Sequence, residues 1–150
     1  MIFLADTRLV LTSEEVDRLM KRYISEREDS LEAGGLLLGH FRGPHIEVVK
    51  CTAPYEGDLR SRYRFIRKDP RHQCVATTEW NASGGEINYV GEWHTHPEPY
   101  PKPSHIDRKC WQQKIRSRHS TPLVFLILGT VSAYGAISGN ARMTPLSRVG

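Results

Sequence analysis

Apolar residues recur along the chain with two periods, alternating in some stretches and spaced by three or four in others, which predicts a mixed α/β protein. Residues 7 to 11 (Thr7-Arg8-Leu9-Val10-Leu11) read as a short strand. Thr12, with Glu15 three residues on, forms a capping-box pattern opening a helix whose apolar positions Val16, Leu19, Met20, Tyr23 and Ile24 share one stripe. That helix is expected to end in the charged run Ser25-Glu26-Arg27-Glu28-Asp29. Gly35 to Leu38 and Ile46 to Cys51 read as two strands about a turn from Gly39 to His45, with His40 and His45 expected at the surface. Asp69-Pro70 opens a second helix, with Pro70 in its first turn and Cys74, Val75 and Trp80 as sparse apolar positions. Ile87 to His96 is a strand, and the helix after Ser104 carries Ile106, Cys110, Trp111 and Ile115 at helical spacing. The unbroken apolar run Leu123 to Leu128 suits a strand buried on both faces. Val131 to Ile137 gives another strand and Met143 to Leu146 a short edge strand. This order predicts a sandwich with a mixed sheet.

At 150 residues the chain fits one domain, 1–150, large enough for a single core. Its 39% hydrophobic and 25% charged residues are ordinary for a globular protein, and no apolar run approaches the roughly 20 residues that span a bilayer. The first residues carry neither the basic region nor the apolar core of a signal peptide, so a cytoplasmic location is expected. Cys51, Cys74 and Cys110 are odd in number and widely spaced, which fits a reducing compartment and reads as small buried hydrophobes. The net charge of +4 concentrates in Arg60-Ser61-Arg62-Tyr63-Arg64-Phe65-Ile66-Arg67-Lys68. Its alternation is that of a half-buried strand with a basic outer face, which disfavours nucleic-acid binding and leaves an acidic protein surface as the better partner.

The strongest chemical signal is His94-Thr95-His96-Pro97, followed by Ser104-His105-Ile106-Asp107. On a strand, residues two apart project from one face, so His94 and His96 can grip one ion. Three prolines, Pro99, Pro101 and Pro103, stiffen the return to a helix start at which Ser104 is an N-cap and Asp107 a possible third ligand. Two imidazoles, one carboxylate and an open fourth position match a catalytic zinc site. As a helix cap alone, S-x-x-D would need no metal. Glu32 alone would read as the last solvated charge before a buried strand; the following Gly34-Gly35 pair permits close backbone approach there.

The combination of Glu32, H-x-H-P and S-x-x-D resembles the JAMM (JAB, MPN+) zinc metalloprotease family, over about residues 7 to 138. The resemblance implies a three-layer α/β sandwich with a mixed central sheet flanked by helices, similar to cytidine deaminases. It implies one catalytic Zn2+ on His94, His96 and Asp107, with Glu32 as general acid/base and Ser104 stabilising the tetrahedral intermediate. Residues 55 to 68, Tyr63, Arg64 and Phe65 among them, match the position of a substrate-holding insertion. The words around the motif, with Thr95 between the histidines, look like the small bacterial JAB proteins of CBASS antiphage operons and integrative elements. Such relatives accompany ubiquitin-type activating and conjugating enzymes, and the implied reaction removes a cyclic-nucleotide synthase of the cGAS/DncV-like class from its conjugates. The alternatives are a deconjugase or maturation protease for a bacterial ubiquitin-like modifier, and a non-catalytic MPN scaffold. Only Arg116 to Thr121 separate the motif helix from the next strand, so the second family insertion is short or absent and ubiquitin itself is a poor substrate candidate.

Overall fold

In the computed structural model, which describes residues 1–25, 30–118 and 120–150, the described residues form ten strands and three helices. A hairpin of β1 (Ile2–Ala5) and β2 (Arg8–Thr12) turns at Asp6, whose φ is 53°. Helix α1 (Glu14–Lys21) follows. Its N-cap is Ser13, one residue later than the sequence pattern suggests: Ser13 Oγ accepts from the Val16 N–H at 3.2 Å, while the Thr12 hydroxyl donates to Asp17 at 2.5 Å. The expected charged end at 26–29 lies outside the described residues. Next come β3 (Gly34–Arg42), β4 (His45–Cys51), a small hairpin of β5 (Leu59–Arg60) and β6 (Phe65–Ile66), and α2 (Arg71–Ala82). Strand β7 (Asn88–Thr95), helix α3 (His105–Arg118), β8 (Val124–Leu128), β9 (Ala133–Gly139) and β10 (Arg142–Arg148) complete the order.

The mixed α/β class holds, but the expected layering does not. Eight strands close into a barrel in the order β1-β10-β9-β8-β7-β3-β4-β2, with β2/β4 and β7/β8 parallel and the rest antiparallel. The β1–β2 hairpin makes the closure, since β1 pairs with β10 and β2 with β4. Strand β10 is therefore an interior strand rather than an edge. Inward side chains Phe3, Val10, Leu37, Val48, Trp93, Leu126 and Ile137 form one core with Val16 and Met20 of α1. On the other face of β8, Phe125 and Ile127 pack on Trp111 and Ile115 of α3, so this strand is buried on both sides as its apolar run requires.

Val90 and Trp93 both point into the first core although they are three apart. A bulge in the β3–β7 pairing, opposite Leu37 and Leu38, absorbs the extra residue beside Gly91. Gly91 has φ 154°, and a Cβ there would lie 1.8 Å from the Val124 carbonyl oxygen. The bulge sets the phase of the strand, turning Trp93 inward and Glu92, His94 and His96 to the opposite face.

Helix α2 differs most from its reading. Its buried residue is His72, while Cys74 is exposed and Trp80 is 48% exposed, because a polar cluster rather than an apolar stripe holds this helix. Cys51 and Cys110 are half-buried, so none of the three cysteines is a fully buried hydrophobe. Ile106 is also exposed. His40 and His45 sit half-buried inside β3 and β4 rather than in a surface turn, and His45 Nδ1 accepts from the Leu9 N–H at 3.0 Å. The basic strip is a hairpin, not one strand: residues 61–64 form its tip, and Tyr63 is 82% exposed.

Candidate metal centre

The end of β7, the loop after it and the first turn of α3 meet at one point. His94 Nε2 and His96 Nε2 are 3.0 Å apart, and Asp107 places Oδ1 at 3.3 Å from the first and Oδ2 at 3.2 Å from the second. Ligands at about 2.0–2.1 Å in tetrahedral directions from one ion stand roughly 3.3 Å from one another. The three side chains thus fit a single tetrahedral divalent ion with one direction left open.

Each of the three side chains is held by a separate local device. His94 is locked in the sheet between Gly34 of β3 and Ile127 of β8. His96 lies just past the strand; its N–H donates to the Leu128 carbonyl at 3.0 Å, and its Nδ1 lies 2.9 Å from Glu98 Oε1. Glu98 is in turn fixed by the Lys102 N–H at 3.1 Å. A carboxylate on the far nitrogen of a metal-binding imidazole sets the ring's orientation and raises its basicity. Asp107 is fixed by a reciprocal cap: Ser104 N–H donates to Asp107 Oδ2 at 2.8 Å, and Asp107 N–H donates to Ser104 Oγ at 3.0 Å. The two readings of S-x-x-D are therefore compatible, since Asp107 Oδ1 remains free to face the histidines.

The electrostatics favour a cation here. Burial lowers the basicity of His96, but its contacts with Asp107 and Glu98 outweigh that and raise its pKa to about 9. Burial likewise raises Asp107, and the two histidines overcome it, holding the carboxyl far below the ordinary range. A field that stabilises a proton between these groups stabilises a divalent ion more.

Glu32 precedes β3 and is only 6% exposed, contrary to the solvated-charge reading. Its Oε1 stands 3.7 Å from His96 Nε2, near the trio. Its backbone is clamped: the N–H donates to the Ser61 carbonyl at 2.7 Å, and the carbonyl accepts from Arg60 Nε at 2.9 Å. Next to it, Ala33 N–H donates to Thr95 Oγ1 at 2.9 Å, and Thr95 N–H donates to the Ala33 carbonyl at 2.8 Å. Burial pushes the Glu32 carboxyl up to about 7, against the opposing pull of His96. The glycine pair is needed, for reasons of packing beside the site: a Cβ on Gly34 would strike the Trp93 carbonyl oxygen at 2.5 Å and the Phe65 ring at 2.6 Å, and one on Gly35 the Thr52 carbonyl oxygen at 2.1 Å.

Two clefts flank the trio, and Glu32 lines both. One, of about 220 Å³, runs between β6 and α3 past Phe65 and Trp111; the other, of about 530 Å³, holds Ser104, His96, Lys102 and Tyr63. Of the three candidate substrate contacts, Arg64 and Phe65 line the first and Tyr63 the second. The sequence reading missed Glu98, Arg60 and the pair formed by Thr95 with Ala33. Glu98 alone had a signal, since it stands two residues past His96, as His96 does past His94.

The family of prokaryotic homologs of the JAB domain matches residues 16–143. A CD-NTase/cGAS isopeptidase of Escherichia coli is 40% identical over 83% of this chain and 78% of its own length. Its Pseudomonas aeruginosa counterpart is 37% identical over 86% and 83%. A probable metalloprotease of Sinorhizobium fredii is 30% identical over 81% and 77%. The solution structure of a Desulfitobacterium hafniense protein superposes with a TM-score of 0.59 at 20% identity, over 91% of this chain and 88% of that one, which supports the fold alone. Among the described residues, no helix is long and apolar enough to cross a membrane.

Proposed function

Because the chain belongs to the prokaryotic JAB family, we propose that it is a single-domain, zinc-dependent isopeptidase that releases a C-terminally conjugated protein from its targets. The conjugated protein of this reading is a CD-NTase of the cGAS/DncV-like class, within a bacterial ubiquitin-like conjugation system. The observation that carries the reading is the meeting of His94, His96 and Asp107 at one point, with the buried Glu32 carboxylate beside them.

In this reading His94 Nε2, His96 Nε2 and an oxygen of Asp107 hold the ion, and Glu98 keeps the His96 ring in its ligating orientation. A zinc ion held there would supply Lewis acidity and would lower the pKa of water towards about 7. Glu32 takes the proton from the attacking water and returns it to the leaving amine. Burial raises the basicity of this carboxylate, which favours its taking the proton. Ser104 Oγ accepts the Asp107 N–H, which leaves its own hydroxyl hydrogen free to donate to the oxyanion as it forms. The clamps from Arg60, Ser61 and Thr95 fix the backbone around Glu32, so that little reorganisation is needed on reaction.

The test is cleavage of a fluorescent protein fused behind the C-terminal tail of a CD-NTase, by wild type, by Glu32→Gln and by wild type with a chelator. Cleavage after the last tail residue, lost in both controls, is expected. A zinc-loaded wild-type protein that leaves such fusions and the corresponding isopeptide conjugates intact overturns the reading.

A further inference from the structure

Charge is unevenly divided along the chain. Residues 1–98 carry 13 lysines and arginines against 16 acids, whereas residues 99–150 carry eight against the single acid Asp107. Asp107 is itself turned to the two histidines. Within this basic part, α3 packs Trp111 and Ile115 on the barrel and leaves His105, Arg108, Lys109, Gln112, Gln113 and Arg116 exposed. At 3.6 residues per turn, five of these six share an arc of about 100° on the side away from Trp111, and Arg108 borders it. None of Arg108, Lys109 and Arg116 forms an ion pair among the described residues.

The stability of the helix does not account for this face. Arg116, in the last turn, is favoured by the helix dipole, but Arg108 and Lys109 stand within the first five residues, where the dipole favours carboxylates and disfavours cations. Neither has an acid three or four residues away to offset it. An anionic partner outside the chain supplies what the helix lacks.

We infer that the outer face of α3 docks on duplex DNA through its phosphates, without reading sequence. The duplex carries one negative charge per about 1.7 Å of axis, so a helix of 14 residues, about 21 Å long, lies along roughly a dozen of them. Other anionic partners fit this face less well. A protein interface needs an apolar or aromatic centre and is depleted in lysine, whereas the apolar side chain bordering this face, Ile106, belongs to the cleft beside Phe65. Single strands stack their bases on aromatic rings, and the arc holds no Phe, Tyr or Trp. The major groove of duplex RNA is too deep and narrow for side chains to read, while that of B-DNA, about 12 Å wide, admits a helix. Anionic bilayers are bound by clusters of about four to eight cations, and this face has three.

The face lies outside the candidate metal centre, so the test is independent of the isopeptidase reading. It follows the anisotropy of a fluorescent DNA duplex of about 20 base pairs titrated with the full chain between about 50 and 200 mM salt. Three neutralised phosphates make the affinity fall roughly 40-fold over that range. Arg108→Gln, Lys109→Gln and Arg116→Gln, all at exposed positions and to a good helix former, are each expected to lower the slope of log affinity against log salt by about one. The three together should abolish the salt dependence and weaken binding at low salt at least tenfold, with Tm unchanged. Arg108→Lys with Arg116→Lys keeps the charge and should keep the slope. Duplex RNA of the same sequence, a polyglutamate peptide and phosphatidylserine vesicles are the competing probes. No binding of the DNA duplex at low salt, slopes unchanged in the glutamine variants, or tighter binding of any competing probe overturns the inference.

Discussion

Replacing His72 by alanine tests whether a buried polar cluster holds the β5–β6 hairpin to the barrel. The ring is fully buried on α2, with Nδ1 2.6 Å from Thr52 Oγ1 and Nε2 2.6 Å from Asp58 Oδ2. Asp58 also accepts from the N–H groups of Tyr55, Lys68 and Asp69, and Thr52 Oγ1 from that of Leu36. The Thr52 carbonyl receives the Trp93 indole N–H at 2.8 Å. One imidazole therefore joins the segment bearing β5 and β6 to β3 and β7, whose ends carry Glu32 and His94. The alanine variant loses two hydrogen bonds, one of them to a carboxylate, at about 1–3 kcal/mol each, and leaves a ring-sized cavity. The three remaining N–H donors keep Asp58 from being orphaned, so a net loss of about 3 kcal/mol is expected, or roughly 6–12 °C in Tm. Urea unfolding of both proteins at neutral pH measures it. A loss below about 1 kcal/mol would refute the view that this cluster, rather than an apolar stripe, anchors α2.

Three further outcomes follow from the same geometry. Burial raises the Glu92 carboxyl, but Lys114 and Arg67 outweigh it and hold its pKa below the ordinary range. Its stabilising effect is therefore full above the unfolded value of about 4.3 and is lost as pH falls through the lower folded value. Glu92→Gln should flatten the acid limb of a urea-stability profile below about pH 4, and an unchanged limb would contradict the pairing. Gly91→Ala places a methyl 1.8 Å from the Val124 carbonyl oxygen, and neither backbone can yield. We expect a loss of about 3 kcal/mol or an insoluble product, and near-wild-type stability would mean the bulge is not needed. Ser104→Ala should lower kcat about a hundredfold with zinc content retained, and should cost about 1 kcal/mol for the lost cap. Unchanged kcat in a folded, zinc-loaded variant would remove Ser104 from the chemistry.

Much of the fold was legible because it lies in long apolar patterns. The runs at Gly35–Leu38 and Leu123–Leu128 became strands, and the helix from Ser104 ran to Arg118 with Trp111 stacked on Phe125 at 4.8 Å. Barrel closure was not legible, because it depends on which short strands pair, and pairing partners leave no periodic trace. Ile2 to Ala5 is too short to declare itself, and Met143 to Leu146, with Pro145 inside it, reads as an edge until β1 joins it. Helix α2 failed for a different reason: its anchor is a histidine, and the partners Thr52 and Asp58 lie 20 and 14 residues away.

The site was legible to the extent that local geometry builds it. H-x-H works because a strand turns alternate residues to one face, and S-x-x-D works because a capping box brings the third helical residue back to the cap. At Asp107 the two demands coincide, since the same carboxylate closes the cap with Oδ2 and faces His94 with Oδ1. A carboxylate that closes a cap and faces two histidines at once is strongly held in place, and it needs no long-range partner to be found. Glu32 is the opposite case: nothing in its neighbourhood requires a carboxylate, and its position depends on its own contacts with Arg60 and Ser61 and on those of Ala33 with Thr95, which span 62 residues along the chain. The perturbation of Glu32 comes from its burial, which raises the carboxyl to about 7, and burial is a property of the assembled barrel rather than of any segment. Local rules thus locate the candidate metal-binding side chains, whereas the Glu32 carboxyl is perturbed only once the chain has closed around it.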